Sequence, residues 1–194
     1  VTCGGIQSNH CRATAALAAR LGIKSHLILR GDEPSQTDGN LLLDRLFGAS
    51  ISFVTTPEYQ DMPTIFKNLE QTYARAGEKA FMIPVGATDE IGLWGYIECA
   101  AELKKDFVAA NITPEVIVSA TGSGGTLGGL ILGKEMYGLS SKIMAINVCD
   151  DANYFIKKIN EDALNWKNRY QQSLDVTNLA INIIEGYVAP GYGR

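Results

Sequence analysis

Residues 115–133 read EVIVSATGSGGTLGGLILG, in which a β-rich apolar run, a glycine-rich turn and a helical pattern follow one another directly. A strand that turns through glycines into a helix leaves several backbone N–H groups facing outward at the positive end of that helix. Phosphate is a natural occupant of such a place, and hydroxyl side chains in the turn can add donors. We therefore predict that the loop binds the phosphate of a small cofactor through Thr121, Gly122, Ser123, Gly124, Gly125 and Thr126.

Two better-known phosphate-binding patterns do not fit this loop. It lacks the Gly-Lys-Ser/Thr ending of a Walker A loop, and Leu127 stands where a dinucleotide-binding loop needs its third glycine. A tight structural turn remains the alternative, although three glycines with three hydroxyl residues exceed what a plain turn requires.

Outward from the loop, apolar β-branched runs alternate with amphipathic helical patterns along the chain. This alternation is typical of the α/β class, in which helices cover both faces of parallel sheets. The predicted strands are residues 24–30, 50–54, 79–84, 115–120, 142–148 and 178–185, and the predicted helices are residues 11–21, 40–47, 64–76, 91–110, 127–137 and 153–172. A glycine-containing break at residues 84–89 favours two lobes that share one cleft. We expect residues 1–85 to form a small lobe that grips cofactor and substrate, and residues 86–194 to form part of a larger cofactor-binding lobe.

Composition limits the class of partner. The chain has 194 residues, 46% hydrophobic and 20% charged, with a net charge of −4. A mildly acidic surface argues against nucleic acid or an anionic membrane, and no apolar run reaches the roughly 18 residues of a membrane helix. The scattered cysteines and histidines do not have zinc-site spacing, so we predict no metal, and they suit a reducing compartment, the cytoplasm. They are Cys3, Cys11, Cys99, Cys149, His10 and His26.

A second polar segment, Gly4-Gly5-Ile6-Gln7-Ser8-Asn9-His10, precedes an alanine-rich helical stretch that ends at Gly22. Ser8 or Asn9 is a good N-cap, which would explain one polar residue but not four in succession. A helix N-terminus with converging amides and side chains is an anion site, so we predict that this segment grips a substrate carboxylate. For His10, a structural role and a catalytic role are equally open.

A third segment, residues 186–193, follows the last predicted strand and reads GYVAPGYG. Tyrosines in loops at the carboxyl ends of parallel strands often face the ligand crevice. Tyr187 can be explained by packing, whereas Tyr192 lies between two glycines and is the better functional candidate.

These segments together resemble the family of D-cysteine desulfhydrase and 1-aminocyclopropane-1-carboxylate (ACC) deaminase. The resemblance rests on GGIQSNHCRATAALAARLG (4–22), GNLLLDRLFGA (39–49), IPVGATDEIGLWGY (83–96), TGSGGT (121–126) and PGYG (190–193). It implies a tryptophan synthase β-like fold (fold type II), pyridoxal 5′-phosphate as cofactor, a small amino-acid substrate and a homodimer. Residues 8–10 read Ser-Asn-His, as desulfhydrase-like members tend to, whereas ACC deaminases tend to read Ser-Asn-Gln. The resemblance therefore favours the desulfhydrases.

The resemblance also implies residue roles. Ser8 and Tyr192 would be catalytic, with Ser8 in proton transfer or nucleophilic attack. Asn9 would hydrogen-bond the 3′ oxygen of the cofactor, and Gln7, Ser8, Asn9 and His10 would line the substrate pocket. The implied reaction is β-elimination and deamination of a small amino acid such as D-cysteine, which gives an α-keto acid, ammonia and sulfide.

One departure from the family concerns the lysine that forms a Schiff base with the cofactor. In the family this lysine lies upstream of the Gln-Ser-Asn block, and no lysine of this chain has that sequence context. We therefore expect a central fragment of a longer enzyme that is inactive by itself. The alternatives are an ACC deaminase-like enzyme, a relative that acts on L-cysteate or D-serine, a non-catalytic binder of cofactor or amino acid, and an unrelated nucleotide-binding domain.

Overall fold

The computed structural model describes residues 1–189, which fold as two compact units, one of residues Val1–Val85 and a second that begins at Gly86. Each unit contains a three-stranded parallel sheet, so the α/β class is confirmed for the described residues. Within the same range, none of the helices has the length and apolar character needed to cross a membrane.

The sheet of the first unit has the order β1-β2-β3, with Thr2 opposite Leu27 and His26 opposite Ser50. Its elements are β1 (Thr2–Gly5), α1 (Asn9–Leu21), β2 (His26–Arg30), α2 (Gly39–Leu46), β3 (Ser50–Val54), α3 (Thr56–Gln60) and α4 (Met62–Arg75). Strands and helices alternate through α2, which is the arrangement that parallel pairing requires.

The core of the first unit lies between its sheet and α1 and α2. Leu27 and Leu29 are fully buried and pack with Leu41 of α2 and with Cys11 and Ala15 of α1. His26 points to the other face, because strand side chains alternate, and there it hydrogen-bonds Tyr73 of α4. Helices therefore lie on both faces of this sheet.

The second unit repeats the strand–helix–strand order. After a short 3₁₀ turn (Val85–Ala87) come α5 (Leu93–Ala110), β4 (Val116–Thr121), α6 (Gly125–Tyr137), β5 (Lys142–Asn147), α7 (Ala152–Arg169) and β6 (Ile183–Ile184). Its sheet has the order β4-β5-β6, and Thr121 lies opposite Asn147. The loops after β4 and β5 therefore leave the same edge of the sheet.

Helices α5 and α6 pack closely along a seam of glycines. A Cβ at Gly129 would lie 2.6 Å from Cβ of Tyr96, and one at Gly133 would lie 2.5 Å from Cβ of Ala100. No carbon atom fits at these distances, so only glycine permits this approach. The seam fixes the position of α6, which begins at the predicted phosphate loop.

Three predicted strands differ from the structure. Residues 79–84 form no strand, because among the described residues only the main chain of Val1 pairs with theirs, donating to the Phe81 carbonyl and accepting from the Ile83 N–H. The strand near residue 180 is limited to Ile183–Ile184. β4 is less buried than the expected cover of helices on both faces implies, since Val116 and Val118 are 42% and 58% exposed. The neighbouring Ile117 packs into the core beside α6, so the described residues cover one face of β4.

Candidate functional site

The glycine-rich loop connects β4 to α6 at the carboxyl edge of the second sheet. Gly124 is the N-cap of α6 and has a φ of 92°, a left-handed conformation that side chains other than glycine disfavour. The first intrahelical bond is donated by Gly128 to the carbonyl of Gly124. The N–H groups of Gly125, Thr126 and Leu127 precede this bond, so they have no acceptor within the helix. The loop therefore offers a row of unused donors at the positive end of a helix dipole.

Thr121 gives an independent indication of a ligand at this loop. The residue is 2% exposed, and its hydroxyl has no hydrogen-bond partner among the described residues. A buried hydroxyl without a partner costs about 1–3 kcal/mol. The Ser119 hydroxyl, inside β4, has the same feature, but Thr121 lies at the end of the strand, where the glycine-rich loop begins. A phosphate oxygen at the loop would supply the missing partner, and the residues present therefore fit a phosphorylated ligand.

Thr88 supports the loop from the connection before α5, and we did not predict this residue. It is 3% exposed, and its hydroxyl donates a 2.8 Å hydrogen bond to the Ser123 hydroxyl. Ser123 keeps its own proton for a ligand. The signal in the sequence was the glycine-containing turn before it, at Gly86; in the structure both Gly86 and Ala87 have positive φ.

A partly buried ion pair between Lys158 and Asp162 contacts the main chain of Thr88. The ammonium of Lys158 donates to the Thr88 carbonyl at 3.1 Å and to both oxygens of Asp162 at 2.6 Å. Burial raises the pKa of Asp162, while the hydrogen bond from Lys158 acts in the opposite direction. Lys158 therefore supports the loop indirectly, through its hydrogen bond to the main chain of Thr88.

Cys149, in the loop after β5, also lies beside the glycine-rich loop. Its thiol donates to the carbonyl of Gly122 at 3.0 Å. Burial raises the pKa of this thiol to about 11, and the Asp150 carboxylate adds to the shift. Cys149 is therefore a neutral thiol at physiological pH, which makes it a packing neighbour and a poor nucleophile.

In the first unit, Ser8 is the N-cap of α1, as one of our two N-cap predictions has it. Its hydroxyl accepts a 3.2 Å hydrogen bond from the backbone N–H of Cys11, and the residue is 6% exposed. Gly4 makes this approach possible, because a Cβ there would lie 2.7 Å from the Ser8 hydroxyl. A catalytic role for Ser8 stays a prediction.

Gln7 and Asn9 are joined to the start of α2. The Gln7 side chain accepts a 2.8 Å hydrogen bond from the backbone N–H of Asn40 and donates a 3.0 Å hydrogen bond to Asp38. The Asn40 side chain donates to the Gln7 carbonyl and to the Asn9 side-chain oxygen, both at 2.9 Å. Sequence reasoning missed Asp38 and Asn40, which lie 31 to 33 positions from their partners.

His10 is held in one tautomer by Thr2. The Thr2 hydroxyl donates its only proton to the carbonyl of Ile83 at 2.9 Å, and it also lies 2.7 Å from Nε2 of His10. Nε2 must therefore carry a proton and donate, which leaves Nδ1 as an acceptor in the neutral ring. Burial lowers the pKa of His10. A neutral His10 offers a substrate carboxylate no donor at Nδ1, and its role in the substrate pocket stays a prediction.

The first unit also contains a buried carboxyl group, that of Asp44 in α2. Asp44 of α2 is fully buried, and neither carboxylate oxygen has a hydrogen-bond partner among residues 1–189. Burial raises the pKa of Asp44 from 3.8 to about 6, and attraction to the Arg12 guanidinium only partly offsets this.

The structure thus brings the predicted residues into two groups. Gln7, Ser8, Asn9 and His10 gather at the start of α1, and residues 121–126 form the loop at the start of α6. Tyr192 lies outside the described residues. The described part of the chain contains no group of three or more His, Cys, Asp or Glu side chains that could hold a metal ion.

Comparison with known families shows which family the chain belongs to. The model of the family described as "Pyridoxal-phosphate dependent enzyme" matches residues 1–194. The chain belongs to this family. Membership of the pyridoxal-phosphate-dependent enzymes implies pyridoxal phosphate as the cofactor.

Relatives within the pyridoxal-phosphate-dependent enzymes place the chain more narrowly. It is 41% identical, over 80% of its length and 41% of the relative's, to the mitochondrial bifunctional D-cysteine desulfhydrase/1-aminocyclopropane-1-carboxylate deaminase of Arabidopsis thaliana. It is 31% identical to the D-cysteine desulfhydrase of Serratia proteamaculans, over its whole length and 58% of the relative's. The resemblance to this family is therefore confirmed, and the chain spans roughly half the length of these relatives.

A solved structure confirms the fold type. The crystal structure of an ACC deaminase homologue matches with a TM-score of 0.80 at 24% identity, over 96% of this chain and 55% of that one. A threonine deaminase of the same fold type matches with a TM-score of 0.59. The tryptophan synthase β-like fold predicted from the sequence is thus confirmed.

Proposed function

We propose that the intact protein catalyses β-elimination and deamination of a small amino acid, with D-cysteine as substrate. The loop at the start of α6 carries this proposal, since it combines free backbone donors with the buried, unpartnered hydroxyl of Thr121. The two relatives named as D-cysteine desulfhydrases support the substrate. In the overall reaction the C–S bond breaks, sulfide leaves, and water replaces the amine to give pyruvate and ammonia.

When bound, pyridoxal phosphate supplies an electron sink for the charge that develops at Cα of the substrate. The residues of this chain bind the cofactor and the substrate and orient them. The loop of residues 121–126 holds the phosphate, and Asn9 donates a hydrogen bond to the 3′ oxygen of the ring. Ser8 holds a proton at its hydroxyl for transfer, while Gln7 and His10 line the carboxylate pocket.

The phosphate seat can be tested without activity. Thr121→Val removes the hydroxyl and keeps the shape of the side chain. We expect binding of inorganic phosphate and of pyridoxal phosphate, measured by calorimetry, to weaken roughly tenfold, because a hydrogen bond to a charged group is lost. The protein should not lose stability, since that hydroxyl has no partner among the described residues.

Ser119→Ala is the matched control. The Ser119 hydroxyl is also buried and unpartnered in the described part of the chain, but it lies two residues earlier in β4. This variant should match the wild type in ligand binding. Equal phosphate affinity for the wild type and Thr121→Val would contradict the proposed seat.

An ACC deaminase-like activity is the second candidate. The Arabidopsis relative is named for both activities, and the ACC deaminase homologue shares the fold. The products distinguish the two, because D-cysteine gives sulfide and a three-carbon keto acid, whereas ACC gives a four-carbon keto acid and no sulfide. A third candidate, a non-catalytic binder, predicts reversible cofactor binding that borohydride does not make permanent.

We further propose that the protein acts as a homodimer in the cytoplasm. All four cysteines are free thiols, which a reducing compartment favours. The Arabidopsis relative, by contrast, is named as mitochondrial. Sedimentation of the purified protein and localisation of a tagged protein test the two parts separately.

A further inference from the structure

Three side-chain amides meet where α1 and α2 begin, those of Gln7, Asn9 and Asn40. Asn40 Nδ2 lies 2.9 Å from the backbone carbonyl of Gln7 and 2.9 Å from Oδ1 of Asn9. The Gln7 side chain in turn lies 2.8 Å from the backbone N–H of Asn40. Each of Gln7 and Asn40 therefore binds the main chain of the other.

The two main-chain groups fix which way each amide faces. A backbone carbonyl can only accept, so the Asn40 atom beside the Gln7 carbonyl must be the NH₂ group. The same NH₂ group faces Asn9, so the nearer Asn9 atom must be its oxygen. A backbone N–H can only donate, so the Gln7 oxygen faces Asn40, and the Gln7 NH₂ group faces the Asp38 carboxylate.

Gly39 lies close against the Gln7 side chain. Gly39 has a φ of 52°, and a Cβ there would lie 2.5 Å from the Gln7 side-chain oxygen. Asp38 is the N-cap of α2 but makes no side-chain cap, so Gln7 supplies the capping oxygen from a different part of the chain. Gly39, the cap that Gln7 provides for α2 and the side-chain amides of Gln7 and Asn40 thus form one preorganised cluster.

We propose that Asn40 is a positioning residue that turns the Asn9 amide so that its oxygen is held internally and its NH₂ group is presented outward. Asn9 is exposed, and its NH₂ group has no partner among the described residues. The group that it meets must be a hydrogen-bond acceptor, and an anionic oxygen is the strongest. This inference rests on the proposed function, in which that acceptor is the 3′ oxygen of pyridoxal phosphate.

Asn40→Asp tests the inference. It keeps the size of the side chain but places a carboxylate oxygen against the Asn9 oxygen and the Gln7 carbonyl. Repulsion should turn the Asn9 amide over, so that its oxygen faces the ligand. The helix itself should tolerate the change, because a carboxylate in the first turn interacts favourably with the helix dipole. Circular dichroism and a thermal melt check that the variant folds.

The binding assay compares pyridoxal phosphate with its 3-deoxy analogue. The wild type should prefer pyridoxal phosphate roughly tenfold or more, because only this ligand accepts from Asn9. Asn40→Asp should lose the preference and leave binding of the analogue near the wild-type level. Both ligands carry the phosphate, so the ratio cancels the effect of the added charge on phosphate binding, and the amide NMR readout separates a turned Asn9 amide from direct repulsion of the 3′ oxygen. Asn68→Asp, on exposed α4 of the same unit, is the control and should keep the preference.

Side-chain amide NMR gives a readout that needs no ligand. In the wild type the NH₂ protons of Asn9 should exchange quickly and those of Asn40 slowly. In Asn40→Asp the Asn9 protons should become protected, because they turn inward to the new carboxylate. Unchanged Asn9 exchange, or a variant that keeps the wild-type ligand preference, overturns the inference. A wild type that binds neither ligand instead overturns the proposed function, and the NMR result then decides the role of Asn40.

Discussion

The buried carboxylate of Asp44 should make the first unit less stable as the pH rises. Its pKa is raised from 3.8 to about 6, so the folded state binds a proton more tightly than the unfolded chain does. The free energy of unfolding of the first unit therefore falls as the pH rises from about 3.8 to about 6, and the full loss remains above pH 6. At about 1.36 kcal/mol per pKa unit, the shift corresponds to about 3 kcal/mol.

The substitution Asp44→Asn measures this penalty, because the neutral amide imitates the protonated carboxyl group. We expect the variant to be about 3 kcal/mol more stable than the wild type at pH 8 and nearly equal to it at about pH 3.5. Comparison of the two proteins at each pH cancels the titration of the other groups. Asp32→Asn, at an exposed position in the same unit, should show no such pH-dependent gain.

The assay must report on the first unit alone. Native-state hydrogen exchange of the amides of residues 27–29, in the core of that unit, measures its opening. Both tryptophans, Trp94 and Trp166, lie in the second unit, so their fluorescence reports on that unit and cannot replace this measurement. A gain that does not change with pH, or a loss of stability at pH 8, would refute the reasoning.

Three further predictions concern packing, support of the loop and the histidine. Gly133→Ala should destabilise the second unit by about 1–3 kcal/mol in urea unfolding followed by tryptophan fluorescence, because the new methyl group overpacks the seam; Gly95→Ala, which meets no atom within 4 Å, should not destabilise it. Thr88→Val should lower the stability of that unit by about 1 kcal/mol through loss of its hydrogen bond to the loop, and an unchanged midpoint would count against that support. His10→Gln should remove only the destabilising contribution of His10 below pH 6.5, so that the stability of the variant relative to the wild type increases from pH 8 to pH 5, since the neutral ring is the form that the fold prefers.

Local patterns predicted the elements whose signals lie within a few residues. The strand at 50–54 has the predicted bounds, and α1 begins directly after its predicted cap, Ser8. The short α3 was not predicted, although the Thr55 and Glu58 of its capping box were present in the sequence. Residues 79–84 have the composition of a strand, but pairing depends on what lies beside them, which no local pattern contains.

The residues that surround the site were harder to predict for the same reason. The glycine-rich loop can be recognised from six consecutive residues, whereas Thr88 and Asn40 hydrogen-bond partners more than 30 positions away. Both lie in segments that carried the family resemblance, 83–96 and 39–49, but the hydrogen bonds that give them meaning appear only in three dimensions. The orientation of the Asn9 amide likewise depends on two distant backbone groups.

The glycine seam between α5 and α6 has a consequence for ligand choice. A helix locked at two glycines cannot slide along its neighbour by the length of a methylene group without a steric clash. The start of α6 is therefore held in place. Under the proposed function, a ligand bound there by its phosphate would have the position of its ring determined by the distance between its own phosphate and ring. A cofactor analogue with one more carbon between phosphate and ring would fit by moving its ring, because the loop cannot move. The close packing of α5 and α6 would in this way select ligands by the distance between phosphate and ring.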